Sequence, residues 1–119
     1  MGITNVTATL TNIDNPGKQA DGEFLVDTGA GYTVVPYRMH KLLKLIPHKK
    51  QTFSLADGTT VKRDLSYAMI EIDGQKAPST VVLGQRGDNA LLGVVTLENM
   101  GLMVDPFKRT LRPMKLLLA

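Results

Sequence analysis

Cysteine and tryptophan are both absent from these 119 residues, and Phe and Tyr supply only three side chains each. Without a thiol there is no disulfide framework, thiolate zinc site, iron–sulfur cluster or cysteine nucleophile. Aromatics this sparse leave little to stack on nucleic-acid bases. Long apolar runs are missing too, and no stretch approaches the ~20 residues that span a bilayer. The opening Met1-Gly2-Ile3-Thr4 has neither the basic start nor the apolar stretch of a signal peptide. Val6 stands where a myristoylation motif wants a hydroxyl residue. The expectation is a soluble, cytoplasmic protein with no membrane partner. What is present, 43% hydrophobic and 21% charged residues, suits one domain spanning 1–119 that buries its own core. A two-lobed enzyme with a cleft between its lobes fits that length poorly.

Charge gives little direction. Fourteen Lys and Arg against eleven acidic residues leave +3 with neutral His, a mild excess that serves solubility as well as any anionic partner. The basic residues concentrate in His40-Lys41-Leu42-Leu43-Lys44 and His48-Lys49-Lys50. A nucleic-acid footprint is one reading. No aromatic residue interleaves with the cluster, so a solvated helix face and the turn after it explain it better, and no nucleic-acid partner is expected. His40 and His48 lack Cys or clustered carboxylates beside them, and solvated surface positions are expected for both, with no metal.

Along the chain, β signals dominate. Ile3–Ile13 is rich in β-branched residues with partial alternation and predicts a strand. Asp14-Asn15-Pro16-Gly17 reads as a turn, and Gly22–Val26 as a second strand running into Asp27-Thr28-Gly29. Thr33–Val35 predicts a short strand. Pro36 suits the first turn of a helix whose apolar side is Leu42, Leu43 and Ile46, stopped by Pro47. Two hairpins are signalled, one around Ala56-Asp57-Gly58 and one around Asp73-Gly74-Gln75-Lys76. After the polar loop Gln85–Asn89, Ala90-Leu91-Leu92-Gly93 predicts a buried strand ending at glycine. Thr96–Met100 predicts a short helix with Thr96 as its N-cap and Asn99-Met100-Gly101 as its stop. Leu102–Val104 and Thr110–Arg112 predict final strands around Asp105-Pro106. The sum is mainly β with one or two short helices, a small barrel or sandwich.

One motif carries chemistry. Phe24-Leu25-Val26-Asp27-Thr28-Gly29-Ala30 places a carboxylate at the end of an apolar strand, in partly apolar surroundings where ionisation is costly. Gly29, two positions on, lets the backbone turn and approach a neighbour closely. An ordinary Asp-x-Gly turn closing a strand would look the same locally.

Leu25-Val26-Asp27-Thr28-Gly29-Ala30 with Thr33-Val34 resembles the active-site signature of the aspartic proteases in their short retroviral form, the retropepsins. Ala56-Asp57-Gly58 lies where that family has its flap hairpin, and Ile70–Ala77 resembles the strand–turn–strand that follows the flap. Ala90-Leu91-Leu92-Gly93 matches the second signature, two apolar residues then glycine, and a short helix follows it. Order and spacing agree over roughly residues 20 to 105. Single-domain cellular and bacterial relatives share this pattern and are the nearer comparison. The resemblance implies a closed β-barrel of the acid-protease type and an aspartic endopeptidase needing no cofactor.

That chemistry requires two carboxylates sharing one proton, since like charges ~3 Å apart cannot both ionise. The sequence holds one Asp-Thr-Gly, and neither Asp88 nor Asp105 is followed by the small residues of a second copy. The resemblance therefore implies a homodimer with one Asp27 from each subunit and an extended peptide or protein substrate at the interface. It also implies catalytic-loop roles for Asp27, Thr28 and Gly29. Thr28 would bond its symmetry mate, and Gly29 would lie near the substrate main chain. The hairpin tip Ala56-Asp57-Gly58 would close over the peptide. Ala30, Val34, Leu92 and Val94 are the candidate pocket walls, and plain core is an equal reading for Leu92. This chain departs from the retroviral pattern at Gly31-Tyr32, where an acidic pair is common, and at Val94, where Arg is common. Its interface must be stabilised otherwise, and the apolar Leu116-Leu117-Leu118 is a candidate intersubunit strand or helix. A peptide-binding or assembly module of the same fold, without turnover, is the alternative.

Overall fold

The alternation of Thr and apolar residues in Asn5–Asn12 folds as expected into a strand, β1, with Ala8, Leu10 and Asn12 inward and the intervening Thr side chains outward. The structure is a computed structural model and describes residues 3–115 and 118. The chain reverses through Ile13-Asp14 into β2 (Asn15–Val26), earlier than the Pro-Gly signal predicts. Asn12 decides this. Its buried side-chain oxygen accepts the N–H groups of Asp14 and Asn15 at 2.9 and 3.1 Å, closing a turn before the proline is reached. The pairing then jumps from Asn12↔Asn15 to Thr11↔Gln19. Pro16, which has no N–H to give, falls in that irregularity.

β3 (Thr33–Val35) leads through Pro36 into α1 (Tyr37–Leu43). The helix turns Met39, His40 and Leu43 inward, whereas Leu42 and Ile46, expected on its apolar side, are 67% and 62% exposed. The cause is its length. Only seven residues are helical before Lys44 turns left-handed (φ 53°), so the i, i+4 pair Met39 and Leu43 sets the buried face and Ile46 lies beyond it. Met39 packs into the space that the missing side chain of Gly22 leaves on β2. His40 also corrects the reading of it as a solvated residue. It is 8% exposed, and its Nε2 lies 2.8 Å from the Gly84 carbonyl oxygen, which identifies Nε2 as the protonated nitrogen.

β4 (Lys49–Ser54) and β5 (Thr60–Ile72) form the first hairpin, and β5 and β6 (Gln75–Leu83) form the second. Both central residues of the second turn, Asp73 and Gly74, have positive φ (50° and 81°). This is the type I′ geometry that an Asp-Gly pair favours between right-twisted strands. After the loop Gln85–Asn89 come β7 (Leu91–Leu92), α2 (Val94–Asn99), β8 (Leu102–Asp105) and β9 (Thr110–Pro113).

Seven strands make one mixed sheet in the order β1-β2-β7-β3-β6-β5-β4, and β1 also pairs with β5 through Thr9–Thr11. β8 and β9 form a separate two-stranded sheet. The fold is mainly β and is consistent with an aspartic-protease fold. Leu10, Phe24, Leu43, Ile70, Leu92 and Leu97, none more than 2% exposed, fill the core between the sheet and the two helices. Leu116 and Leu117 of the apolar end lie outside the described residues, and Leu118 is exposed. Among the described residues no helix is long and apolar enough to cross a membrane.

Candidate active site

The apolar run Phe24-Leu25-Val26 buries β2 up to the point where Asp27 leaves the sheet, and two neighbours fix that exit. Leu25 and Val26 pair in parallel with Leu91 and Leu92 of β7. The Asp27 N–H then donates to the Leu92 carbonyl at 3.0 Å. Beyond it the loop folds on itself. The Gly29 N–H donates to Asp27 Oδ1 at 2.9 Å, and the Ala30 N–H donates to the Asp27 carbonyl at 3.1 Å. The half-buried carboxylate is thus oriented by a backbone donor, while Thr28 and Gly29 are exposed beside it.

The second signature holds this loop from behind. Val94 and Val95 donate their N–H groups to the carbonyls of Ala30 and Gly31 at 2.9 and 3.0 Å. Gly93 lies so close that a Cβ there would come 2.5 Å from backbone atoms of Gly31 and Tyr32, so only glycine fits. Its N–H donates to Thr33 Oγ1 at 3.0 Å. Thr33 in turn meets Thr96 at 2.6 Å, and Thr96 meets Ser79 at 2.8 Å, all three hydroxyls being buried. This corrects the expectation for Thr96. Gly93 occupies the N-cap position, no side chain caps α2, and Thr96 sits inside the helix, tying it to β3 and β6.

A groove of about 420 Å³ opens beside the loop. Gly29, Ala30 and Val34 line it, together with Tyr32, Phe53, Leu55, Val61, Val82 and Leu91. Of the expected pocket walls, Ala30 and Val34 are therefore on the groove. Leu92 is fully buried in the core and faces away, because alternation on β7 sends Leu91 to the groove instead. Val94 is half-buried behind the loop and does not line the groove. The hairpin tip Ala56-Asp57-Gly58 is exposed, and the residues just before it, Phe53 to Leu55, reach the groove. Tyr32 and Phe53 meet edge to face at 6.0 Å, joining the Asp-Thr-Gly loop side to β4. Asp57 is committed to the tip itself. Its Oδ1 accepts both the N–H and the hydroxyl of Thr59, which holds its carboxyl below the usual range.

Sequence reasoning did not find Arg63 and Asp88, which meet in the groove wall as a bidentate ion pair at 2.7 and 3.0 Å. Twenty-five positions separate them; β5 and β6 pair as far as Asp64↔Leu83, and the loop after β6 carries Asp88 back to Arg63. The Arg63 side chain holds the Asp88 carboxyl below its ordinary range, and the carboxylate raises the guanidinium. No three His, Asp or Glu side chains cluster as metal ligands among the described residues. What the site offers is a backbone-oriented carboxylate, Asp27, two residues before Gly29, where the lining of a largely apolar groove begins; Asp27 itself is not among the lining residues.

Comparison with known proteins bears on this arrangement. No curated protein matches the chain. The model of one family, described as gag-polyprotein putative aspartyl protease, matches residues 16–99, from the start of β2 to the end of α2. That span holds both signatures, the hairpin between them and the groove they border, and the chain belongs to this aspartyl protease family.

Proposed function

We propose that the protein is an aspartic endopeptidase, active as a homodimer, that hydrolyses an extended peptide with one Asp27 from each subunit. The observation that carries this reading is the placement of Asp27. It leaves β2 hydrogen-bonded to the second signature, carries a backbone donor on Oδ1, and lies two residues before Gly29, where the lining of the 420 Å³ groove begins. Family membership supports the same chemistry. The return of β1 onto β5 supports reading the sheet as the closed barrel of that fold.

The need for two subunits follows from the reaction. A single carboxylate cannot both accept a proton from water and donate one to the scissile carbonyl oxygen. Two that share one proton can, and they titrate as a pair. The ionised carboxylate takes a proton from water as the water oxygen attacks the carbonyl carbon. The protonated one gives its proton to the carbonyl oxygen, forming a tetrahedral diol. Collapse of the diol breaks the C–N bond: the amine leaves with a proton from the first carboxyl, and one diol hydroxyl returns its proton to the second carboxylate as the new carboxyl C=O forms, restoring the shared proton. Because the sequence contains one Asp-Thr-Gly, the partner carboxylate is assigned to a second copy across a two-fold axis.

In that dimer Thr28 bonds its symmetry mate and stiffens the paired loops, while Gly29 lies beside the substrate main chain. The tip Ala56-Asp57-Gly58 closes over a peptide that pairs by its backbone, excluding bulk water. Ala30 and Val34 receive alternate side chains. Incubating the purified dimer with a peptide library between mildly acid and neutral pH tests the reading. Cleavage that stops in Asp27→Asn and is blocked by a pepstatin-like inhibitor is expected. Peptide binding that survives Asp27→Ala with no product would identify a binding module instead.

A further inference from the structure

Arg63 and Asp88 are the two charged side chains that line the groove, and they meet each other at 2.7 Å. Arg63 Nε donates to Asp88 Oδ2 at 2.7 Å and Nη2 donates to Oδ1 at 3.0 Å, a fork-to-fork geometry. The Gln85 N–H adds a third bond to Oδ2 at 2.8 Å, and Arg63 Nη1 donates to the Lys62 carbonyl at 2.9 Å. With side chains 16% and 26% exposed, the pair is part of the wall rather than a solvated surface bridge. Around it the lining is Val34, Val61, Val82 and Leu91. A lone charge at this place would repel an apolar side chain, since its desolvation would go uncompensated.

Resting on the peptidase reading, we propose that Arg63 and Asp88 are a specificity-determining pair. By neutralising each other they keep the wall beside Val61, Val82 and Leu91 receptive to an apolar side chain of the bound peptide. Removing either partner leaves a single charge of known sign on the groove, so the preference shifts with that sign. A latch that only ties β5 to the Gln85–Asn89 loop would instead lose affinity for every peptide alike, whichever partner was removed.

The test uses the full chain carrying Asp27→Asn, so that peptides stay intact. It is probed against an array of extended peptides in which one position is Leu, Lys or Glu. The parent should favour Leu. Asp88→Asn should raise binding of Glu peptides relative to Leu by about fivefold, and Arg63→Gln should do the same for Lys peptides. The exchanged pair Arg63→Asp with Asp88→Arg should restore the preference for Leu. Equal losses across the array, shifts of the same sign, unfolding of both single variants at neutral pH, or no parent binding would each overturn the proposal. Cleavage by the chain with Asp27 intact is scored separately. Absent cleavage with sign-opposed binding shifts contradicts the peptidase reading alone, and cleavage with unmoved preferences contradicts the pair's role alone.

Discussion

Asp27 owes its position to backbone contacts, so replacing its carboxylate should leave the fold intact. Asp27→Asn is expected to lower peptide cleavage by at least 10²-fold (roughly the contribution of one general acid or base) with an unchanged thermal midpoint. His40 acts on stability alone. Burial outweighs the helpful Gly84 hydrogen bond and depresses its pKa below the ordinary 6.5. The unfolded chain then binds a proton near pH 6.5 that the folded chain refuses, so stability is full above that pH and falls as the pH drops through the folded value. Denaturant titrations of the wild type should show this loss, and His40→Gln should lack it. A second loss should follow below the ordinary Asp value of 3.8, as Asp88 gives up its pair with Arg63. Neither residue was legible as such in the sequence. A histidine eight positions before another, in a run of lysines, reads as surface until the carbonyl of Gly84, 44 positions away, is found against it.

The elements show where local chemistry decides structure and where it does not. The two hairpins were legible because their turns are local, with Gly58 in the first and Asp73-Gly74 in the second providing the left-handed conformations themselves. The helices were harder. α1 and α2 have seven and six residues, too few for periodicity to point one way, so Leu42 and Ile46 exchanged places with Met39 and His40. Thr96 looked like a cap because threonine favours caps, yet a buried partner on each side holds it within α2. Thr96→Val should therefore cost about 1–3 kcal/mol, because Thr33 and Ser79 lose their shared buried hydroxyl partner, Thr33 keeping the Gly93 N–H and Ser79 the Thr80 carbonyl. Gly93→Ala should cost at least that much, because the new methyl meets backbone that cannot move aside. Leu92→Ala should lower stability by about 2–5 kcal/mol without changing peptide preference, since its side chain lies in the core and Leu91 faces the groove. Urea unfolding measures the first three effects, and peptide-array binding measures the last.

For the whole molecule, the mainly β character and the two signatures were readable from residue order, because each signature is a contiguous string. The groove was not. Its walls come from the Asp-Thr-Gly loop, β3, β4, β5, β6, β7 and the segment before β7, and no spacing rule brings Phe53 or Val82 to the same groove as Ala30. Assembly lies one level further out, since in the proposed reaction the single Asp27 of each chain needs the Asp27 of a second chain. Cleavage per chain should accordingly fall on dilution through the dimer dissociation range. Adding Asp27→Asn chains to the wild type should depress it further, because mixed dimers lack one carboxylate. The most direct measurement is the separation of the two Asp27 carboxylates in a crystal of the assembled protein. Oxygens within about 3 Å across a two-fold axis, close enough to share one proton, are predicted. A dimer that holds them apart, beyond the reach of a common water, would contradict the account.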